Sequence, residues 1–208
     1  MTGLQKTIAA FAMLALAACG VGVSDAQISP HPAPTGPHLA QAVFAGGCFW
    51  SMETDFDHLD VVVETIDGYT GGELAHPTYE QVSTETTGHY ESVRVTYDTT
   101  KLTYAQLLHY YFRHIDPTDS GGQFCDRGPS YHSAVFVTPA QQADANAAKA
   151  EAQQTLGQNV VTRILPLGPF WPAEDYHQDY AIKNPAHYHA YRVGCGRDAA
   201  VAAVWRGR

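Results

Sequence analysis

The segment QAVFAGGCFWSMETDFDHL (41–59) decides how the chain folds. Its first residues are mostly apolar and predict a short buried strand that ends at a pair of glycines. After the glycines, apolar residues recur at three- and four-residue spacing: Phe49, Met52 and Phe56. This spacing is that of one helix face, so we expect a helix that begins near Cys48. A strand therefore leads directly into a helix, with a cysteine at the junction.

The segments that follow predict further strands and a second helix. VVVETIDGY (61–69) is rich in β-branched residues, and ESVRVTY (91–97) alternates apolar and polar side chains with the two-residue period of a strand. Thr103 is a helix-capping residue ahead of the amphipathic YAQLLHYYFRHI (104–115), and SAVFV (133–137) reads as a further strand. The order β-α-β-β-α-β predicts an α+β fold of the ferredoxin-like plait type.

The remainder of the chain predicts additions to this plait. Thr138 and Pro139 precede an Ala/Gln-rich helical segment, and VVTRILPL (160–167) reads as one more strand. From about Asn184 the chain is rich in Gly, His and Tyr, which predicts an irregular C-terminal tail. Residues 41–208 are therefore expected to form a single domain.

The N-terminal residues 1–18 read as a signal peptide. The apolar run from Ile8 to Ala18 has eleven residues, whereas a helix across a bilayer needs about 20. The run ends in LAAC, and Cys19 there resembles the lipidated cysteine of a bacterial lipoprotein; the alternative is an ordinary signal peptide that contains a cysteine. Residues 19–40 are rich in proline and glycine, which predicts a tether. We expect an exported, periplasmic protein that is lipid-anchored to a bacterial membrane.

Charge and cysteine content exclude several classes of protein. The formal net charge is -9 and lysine and arginine do not cluster, which argues against binding to nucleic acid or to an anionic membrane surface. The four cysteines include no C-x-x-C pair, which argues against a structural zinc site or a thioredoxin-type motif. Chemistry at a single cysteine remains open.

Cys48 carries the strongest chemical signal in the chain. The glycines before it allow a sharp turn, and the predicted helix places it in a first turn, where free N–H groups favour an anion. A cysteine in that position is expected to have a stabilised thiolate and to be nucleophilic. The alternative is a small buried residue that packs under the helix.

Other polar residues are candidates for the same site. Glu91 begins a predicted strand, and in an apolar pocket the pKa of its carboxyl would rise enough for it to act as a general acid. The alternative for Glu91 is a solvated charge at the sheet edge. Asp126 and Tyr131 lie in a Gly/Pro-shaped loop, and Tyr79 lies in the long loop before the strand. We expect these side chains to supply hydrogen bonds near the thiol.

Six motifs, taken in order, resemble those of the peptide methionine sulfoxide reductase A family. They are GCFW (47–50), GYTGG (68–72), PTY (77–79), TGHYESVRVTYD (87–98), DRGPSYHS (126–133) and AEDYHQDY with KNP (173–185). GCFW alone would be a weak signal, but six motifs in family order with family-like spacing are a strong one.

The resemblance implies an activity and a role for each candidate residue. Cys48 would be the nucleophile and Glu91 the proton donor. The sulfoxide oxygen and a water would be held by Tyr79, Asp126 and Tyr131. The pocket for the substrate methyl group would be formed by Phe49 and Trp50. The implied substrate is the S epimer of methionine sulfoxide, free or in oxidised proteins and peptides. No bound cofactor or metal is implied; an external, thioredoxin-like dithiol would be the reductant. We expect a monomer.

The resemblance also implies a second thiol, which would form a disulfide with Cys48 after the substrate has reacted. Its identity is the feature that the sequence determines least. Many family members have a cysteine shortly after the NP motif, where this chain has His187 and His189. Cys195 follows them between two glycines, which favours it as the resolving cysteine that would form a disulfide with Cys48. Cys125 is the alternative, and direct reduction of Cys48 by an outside thiol is another.

Two functions of other classes compete with the reductase. A cysteine hydrolase would pair Cys48 with a histidine such as His89 as base. A non-catalytic metal-binding lipoprotein would use the pair His187 and His189, although the chain contains no H-E-x-x-H motif.

Overall fold

The computed structural model describes residues 27–208. Its strands are β1 (Leu39–Ala45), β2 (Val62–Thr70), β3 (Tyr90–Asp98), β4 (Gly122–Gln123), β5 (Asp126–Arg127), β6 (Ala134–Val137), β7 (Arg163–Pro166) and β8 (Trp171–Pro172). Its helices are α1 (Phe49–Asp57), α2 (Tyr79–Val82), α3 (Tyr104–Arg113), α4 (Gln142–Leu156), α5 (Tyr180–Lys183), α6 (Pro185–Cys195) and α7 (Arg197–Val204). A short 3-10 turn spans Pro129–Tyr131.

The main sheet has the strand order β7-β6-β1-β3-β2-β8, and β4 and β5 form a separate small hairpin. The pair β6 and β7 is parallel, and the other neighbouring strands are antiparallel. The four strands of the predicted plait thus lie in the order β6-β1-β3-β2, connected through α1 and α3. The α+β class and the β-α-β-β-α-β order are confirmed.

Alternate residues of each strand lie on opposite faces of the sheet, and each face carries its own apolar cluster. On β3, Val93, Val95 and Tyr97 lie in the main core with Phe44 of β1, under the helices. The opposite face carries a smaller cluster of Val43, Ala45, Tyr90, Ala134 and Phe136. The strands therefore present α1, and the residues at its start, above a rigid apolar surface.

Helix α3 forms as its sequence predicts. The Thr103 hydroxyl accepts a hydrogen bond from the Gln106 backbone N–H at 3.2 Å, and the Gln106 side chain accepts one from the Thr103 N–H at 2.9 Å. This reciprocal cap satisfies two backbone donors that a helix start leaves free. The buried stripe consists of Leu107, Leu108, Tyr111 and Phe112.

The prediction of an irregular tail after Asn184 is wrong. Pro185 occupies the first position of α6, where its missing N–H costs no hydrogen bond, and Gly196, with φ at 69°, separates α6 from α7. The buried guanidinium of Arg197 then donates to the carbonyl of Gly46 at 3.0 Å. The tail that looks polar and glycine-rich in sequence is therefore helical, and a buried cation attaches it to the turn before α1.

The first described residues lie against the domain rather than away from it. The Asp175 carboxylate accepts hydrogen bonds at 2.6 Å from the backbone N–H and the hydroxyl of Ser29, and Arg94 donates to the carbonyl of His31 at 2.6 Å. The predicted signal peptide, Cys19 and the first part of the predicted tether lie outside the described residues. Within 27–208, none of the helices has the length and apolar character needed to cross a bilayer.

Candidate active site

The turn before α1 places Cys48 where the sequence predicted it. Cys48 is the N-cap residue of α1, and its carbonyl accepts hydrogen bonds from Ser51 and Met52 at 3.1 and 3.4 Å. Gly47 has φ at +85°, and a Cβ there would lie 2.8 Å from the Gln123 side chain. A side chain at Gly47 would therefore both strain the backbone and displace its neighbour. The Cys48 side chain itself is 7% exposed.

The backbone N–H groups at this helix start are used by two carboxylates. Phe49 donates its N–H to Glu91 Oε2 at 3.0 Å, and the Cys48 N–H lies close enough to the Asp126 carboxylate to favour its charged form. The Trp50 backbone N–H at the helix start does act to lower the pKa of the Cys48 thiol, as expected, but larger opposing effects outweigh it. Burial, and then the charges of Glu91 and Asp126, raise the pKa of the Cys48 thiol well above its usual value. The resting site holds a neutral thiol.

Glu91 has the protonation state that a proton donor requires. Its side chain is buried on β3, and burial is the main reason that its pKa rises to about 8. The negative charges of Asp126 and Glu85 raise the pKa further, while hydrogen bonds from Phe49 and Tyr131 lower it. At neutral pH the carboxyl is therefore mostly neutral and can donate a hydrogen bond or a proton.

The other predicted polar residues gather around this thiol and carboxyl. The Tyr131 side chain lies beside Glu91 and Tyr79 and favours the ionised form of each, and the Tyr79 backbone N–H donates to the Glu174 carboxylate at 2.8 Å. Asp126 lies near the backbone N–H of Cys48. The structure thus brings residues from four separate stretches of sequence to one place.

The aromatic residues after Cys48 form a wall beside it. Trp50 stacks on Tyr180 with ring centroids 3.7 Å apart, and its indole N–H donates to His177 Nδ1 at 3.1 Å. Burial lowers the pKa of His177 to about 4, so the imidazole is neutral and free to accept this bond. The Phe49 ring lies 4.9 Å from the same imidazole. Such a wall suits an apolar group near the thiol, as a methyl pocket requires.

Tyr191 belongs to the site although it was not among the predicted residues. Its hydroxyl donates to Asp126 Oδ2 at 2.6 Å and lies next to the Cys48 thiol, where it acts to lower the pKa of that thiol. A signal was present, because Tyr188, Tyr191 and Cys195 are spaced three and four residues apart, as on one helix face. The expectation of an irregular tail concealed that periodicity.

The two candidates for the resolving role are joined to each other. Cys125 and Cys195 form a disulfide with Cα atoms 5.0 Å apart, while Cys48 is free. Cys125 is exposed and Cys195 is half-buried. Asp126 lies beside this disulfide, and its carboxylate is 3.5 Å from the Cys125 sulfur. The pair therefore lies next to the residues that contact Cys48.

The residues considered for a hydrolase base and for a metal site have other roles in the structure. Both ring nitrogens of His89 are bound in the loop before β3, Nδ1 to the Gly72 N–H at 3.3 Å and Nε2 to the Leu74 carbonyl at 2.8 Å. His89 thus supports a loop and is not free to act as a base for Cys48. Within residues 27–208, the side chains with metal-ligand spacing are Cys125, Asp126 and Cys195, and two of these are joined as the disulfide.

Comparison with known proteins agrees with this geometry. The family model described as peptide methionine sulfoxide reductase matches residues 40–208. The peptide methionine sulfoxide reductase MsrA 2 of Caulobacter vibrioides is 55% identical over 177 residues, which cover 85% of this chain and 90% of that protein. The protein of the same name from Rhizobium meliloti is 49% identical over 168 residues, or 80% of this chain and 84% of that protein.

A solved structure shares the fold. The reduced form of Mxr1 from Saccharomyces cerevisiae superposes with a TM-score of 0.70 at 31% identity, covering 74% of this chain and 90% of that one. The family match extends over the sheet, the Cys48 turn and the C-terminal helices described above. The chain therefore belongs to the peptide methionine sulfoxide reductase family.

Proposed function

We propose that this enzyme reduces the S epimer of methionine sulfoxide, free or in proteins, with Cys48 as nucleophile and Glu91 as proton donor. The observation that carries the proposal is the pair formed at the start of α1. There, a buried thiol and a buried carboxyl with a pKa of about 8 share one helix N-terminus. A sulfoxide sulfur becomes electrophilic when its oxygen is protonated or strongly hydrogen-bonded, so the reaction needs both groups on the same substrate.

The first half of the cycle requires no cofactor. The Cys48 sulfur attacks the sulfoxide sulfur while Glu91 gives a proton to the oxygen, and the thiol proton of Cys48 restores the carboxyl. The protonated oxygen then passes from the substrate sulfur to the Cys48 sulfur: a Cys48 S–O bond forms while the substrate S–O bond and the bond between the two sulfurs break. Methionine leaves, and Cys48 is a sulfenic acid. Tyr131, which lies beside Glu91, would hold the sulfoxide oxygen together with Tyr79.

This activity is tested with a dithiothreitol-coupled assay on each epimer of a blocked methionine sulfoxide. We expect methionine to form from the S epimer and not from the R epimer. Equal rates on both epimers would contradict the proposed stereochemistry, and no reduction of either would contradict the function.

In the second half of the cycle, electrons pass through all three cysteines of the described domain. The Cys195 thiol attacks the Cys48 sulfenic acid, which forms a disulfide and releases water. Cys125 then attacks the Cys195 sulfur, which frees Cys48 as a thiol and leaves the Cys125–Cys195 disulfide. Support for this order comes from α6, since Tyr191, which contacts the Cys48 thiol, lies one helical turn before Cys195.

An external, thioredoxin-like dithiol completes the cycle at the exposed sulfur of Cys125. The Cys125 backbone N–H donates to the Cys195 sulfur at 3.2 Å, which stabilises the charge that develops on Cys195 as it leaves. The Asp126 carboxylate, 3.5 Å from the Cys125 sulfur, disfavours a negative charge on that sulfur instead. The dithiol becomes a disulfide, and both cysteines return to thiols.

Substitution of the two cysteines is expected to stop the relay at different steps. After one equivalent of substrate, peptide mapping should find Cys125–Cys195 in the wild type and a trapped Cys48–Cys195 disulfide in Cys125→Ser. Cys195→Ser should still release one methionine per enzyme but lose most steady-state turnover with thioredoxin, and less with dithiothreitol, which attacks the sulfenic acid directly. A Cys48–Cys125 disulfide with undiminished thioredoxin turnover in Cys195→Ser would assign the resolving role to Cys125.

We also propose that the protein is exported and lipid-anchored through Cys19, and that it repairs oxidised exported proteins as a monomer. The short apolar run that ends in LAAC supports this location. One acyl chain binds membranes only marginally, so firm anchoring needs the several chains of a bacterial lipoprotein.

Location is tested by detergent partition of the wild-type protein and of Cys19→Ala. We expect the wild type to fractionate with membranes, and Cys19→Ala to be released or misprocessed with its reductase activity intact, because Cys19 lies outside the matched domain. A soluble mature wild-type form that lacks Cys19 would refute the anchor.

A further inference from the structure

Glu85 lies in a strained loop between α2 and the active-site strand β3. Its φ is 63°, in the left-handed region that favours glycine, and its backbone N–H donates to the Val82 carbonyl at 2.9 Å. A glutamate in this conformation costs free energy that a glycine would not. The Glu85 side chain is therefore expected to make contacts that offset this cost.

The Glu85 side chain binds the turn that carries Tyr131. One carboxylate oxygen accepts the Ser130 backbone N–H at 2.8 Å, and the other accepts the Ser130 hydroxyl at 2.8 Å. Ser130 is 2% exposed, so both bonds form largely away from water, where an unpaired donor is costly. Two charge-assisted bonds to one residue fix both the place and the orientation of the turn.

On the opposite side of the contact, Gly128 leaves room for the Glu85 carboxylate. Gly128, immediately before the 3-10 turn, has φ at 129°, and a Cβ there would lie 2.7 Å from the Glu85 carboxyl carbon. Two residues thus hold unusual backbone conformations around one contact. Tyr131, the last residue of the turn, lies beside the Glu91 carboxyl and Tyr79, since the turn packs against β3.

The charge of Glu85 also acts on Glu91 directly. The titratable groups that face Glu91 belong to several elements: Cys48, Asp67, Tyr69, Tyr79, Glu85, Asp126 and Tyr131. Among the electrostatic influences on Glu91, the charge of Glu85 follows that of Asp126 in raising the pKa of its carboxyl. Asp126 is tied to Cys48 and Tyr191, whereas Glu85 is tied to Ser130, so the two charges can be changed separately.

We propose that Glu85 is a positioning residue for sulfoxide reduction, which holds the turn that carries Tyr131 beside Glu91 and adds a negative charge to the surroundings of that carboxyl. This role rests on the proposed function of Glu91 as proton donor. Glu85 does not touch the substrate in this scheme; it acts through the turn at Pro129–Tyr131 and through space.

The test compares Glu85→Gln and Glu85→Gly with the wild type and with Glu73→Gln, which removes an exposed carboxylate from the loop between β2 and α2. Glutamine can still accept a bond from Ser130 but lacks the charge. Glycine lacks both and relaxes the backbone at φ 63°, so that variant should fold. The measurements are the single-turnover rate of methionine release between pH 6 and 10, and the infrared carbonyl band of the protonated carboxyl that disappears in Glu91→Gln.

We expect the alkaline fall in rate, and the loss of the infrared band, to occur at lower pH in both Glu85 variants and at the wild-type pH in Glu73→Gln. Glu85→Gly should in addition be about tenfold slower at pH 6, where Glu91 is protonated in every variant, because Tyr131 is no longer held. If both Glu85 variants match Glu73→Gln in rate and band, the role of Glu85 is refuted while the reductase function stands. A wild type that does not reduce the sulfoxide would refute the proposed function, and this role with it.

Discussion

The Cys48→Ser variant is expected to release no methionine, even in a single turnover with excess dithiothreitol. The reaction forms a bond between the Cys48 sulfur and the substrate sulfur, and a serine hydroxyl at neutral pH is too weak a nucleophile to replace it. Excess dithiothreitol reduces the Cys125–Cys195 disulfide, but the structure places neither of these sulfurs at the start of α1. No other described thiol can therefore take over the first step.

Serine preserves the size of this side chain, so the variant should fold as the wild type does. The backbone bonds of the turn, from Phe49 to Glu91 and from Ser51 and Met52 to the Cys48 carbonyl, do not involve the sulfur. Thermal unfolding measured by circular dichroism serves as the control, and Cys195→Ser, which should keep its single equivalent of methionine, is the matched variant. Stoichiometric methionine release by a folded Cys48→Ser protein would remove Cys48 from the mechanism.

Glu91→Gln is expected to slow the formation of the sulfenic acid by about 100-fold or more, which is the usual share of general acid catalysis. Glutamine keeps the shape of the side chain and can still accept the N–H of Phe49, but it has no acidic proton to give. The pH dependence should change as well. Because the pKa of Glu91 is raised to about 8, the wild-type rate should fall as the pH rises through about 8 and the carboxyl ionises. That fall should be absent from the small residual rate of Glu91→Gln.

Glu53 provides a matched control for Glu91. It is also a buried carboxyl, with a pKa raised to about 8 mainly by burial, and it accepts the backbone N–H of Asp179 at 2.9 Å. It lies within α1 and outside the group of residues around the thiol. Glu53→Gln should therefore change the single-turnover rate much less than Glu91→Gln does. An unaltered rate in Glu91→Gln, or equal losses in both variants, would show that Glu91 is not the proton donor.

The local pattern of the sequence was enough to predict the strands and helices that build the plait. Alternation at Val93 and Val95, and the helical spacing at Phe49 and Met52, each need only near neighbours and one buried side. The same local logic found Cys48 at the end of a glycine turn. It failed at α6, where glycine, histidine and tyrosine suggested an irregular tail and the helix is supported instead by contacts far away in sequence.

The electrostatics at the start of α1 could not be predicted from the same local rules. A helix N-terminus favours an anion, but which anion takes its N–H groups depends on what the fold brings there. Here β3 and the small β4–β5 hairpin bring Glu91 and Asp126, so the thiol stays neutral and the carboxyl of Glu91 becomes the group with a pKa near neutrality. The sequence can therefore identify the nucleophile without determining whether it is a thiol or a thiolate.

By itself, the sequence determined the order of the secondary structure, the turn at Cys48 and the motifs that assign the chain to its family, because these depend on spacing along the chain. Tertiary structure alone decided the pairing of Cys125 with Cys195, which are 70 residues apart, the arrival of Tyr191 at the thiol, and the contact of Glu85 with the Tyr131 turn. The physical reason is that disulfide reach, hydrogen bonding and burial are set by distances in space, which spacing in sequence does not encode.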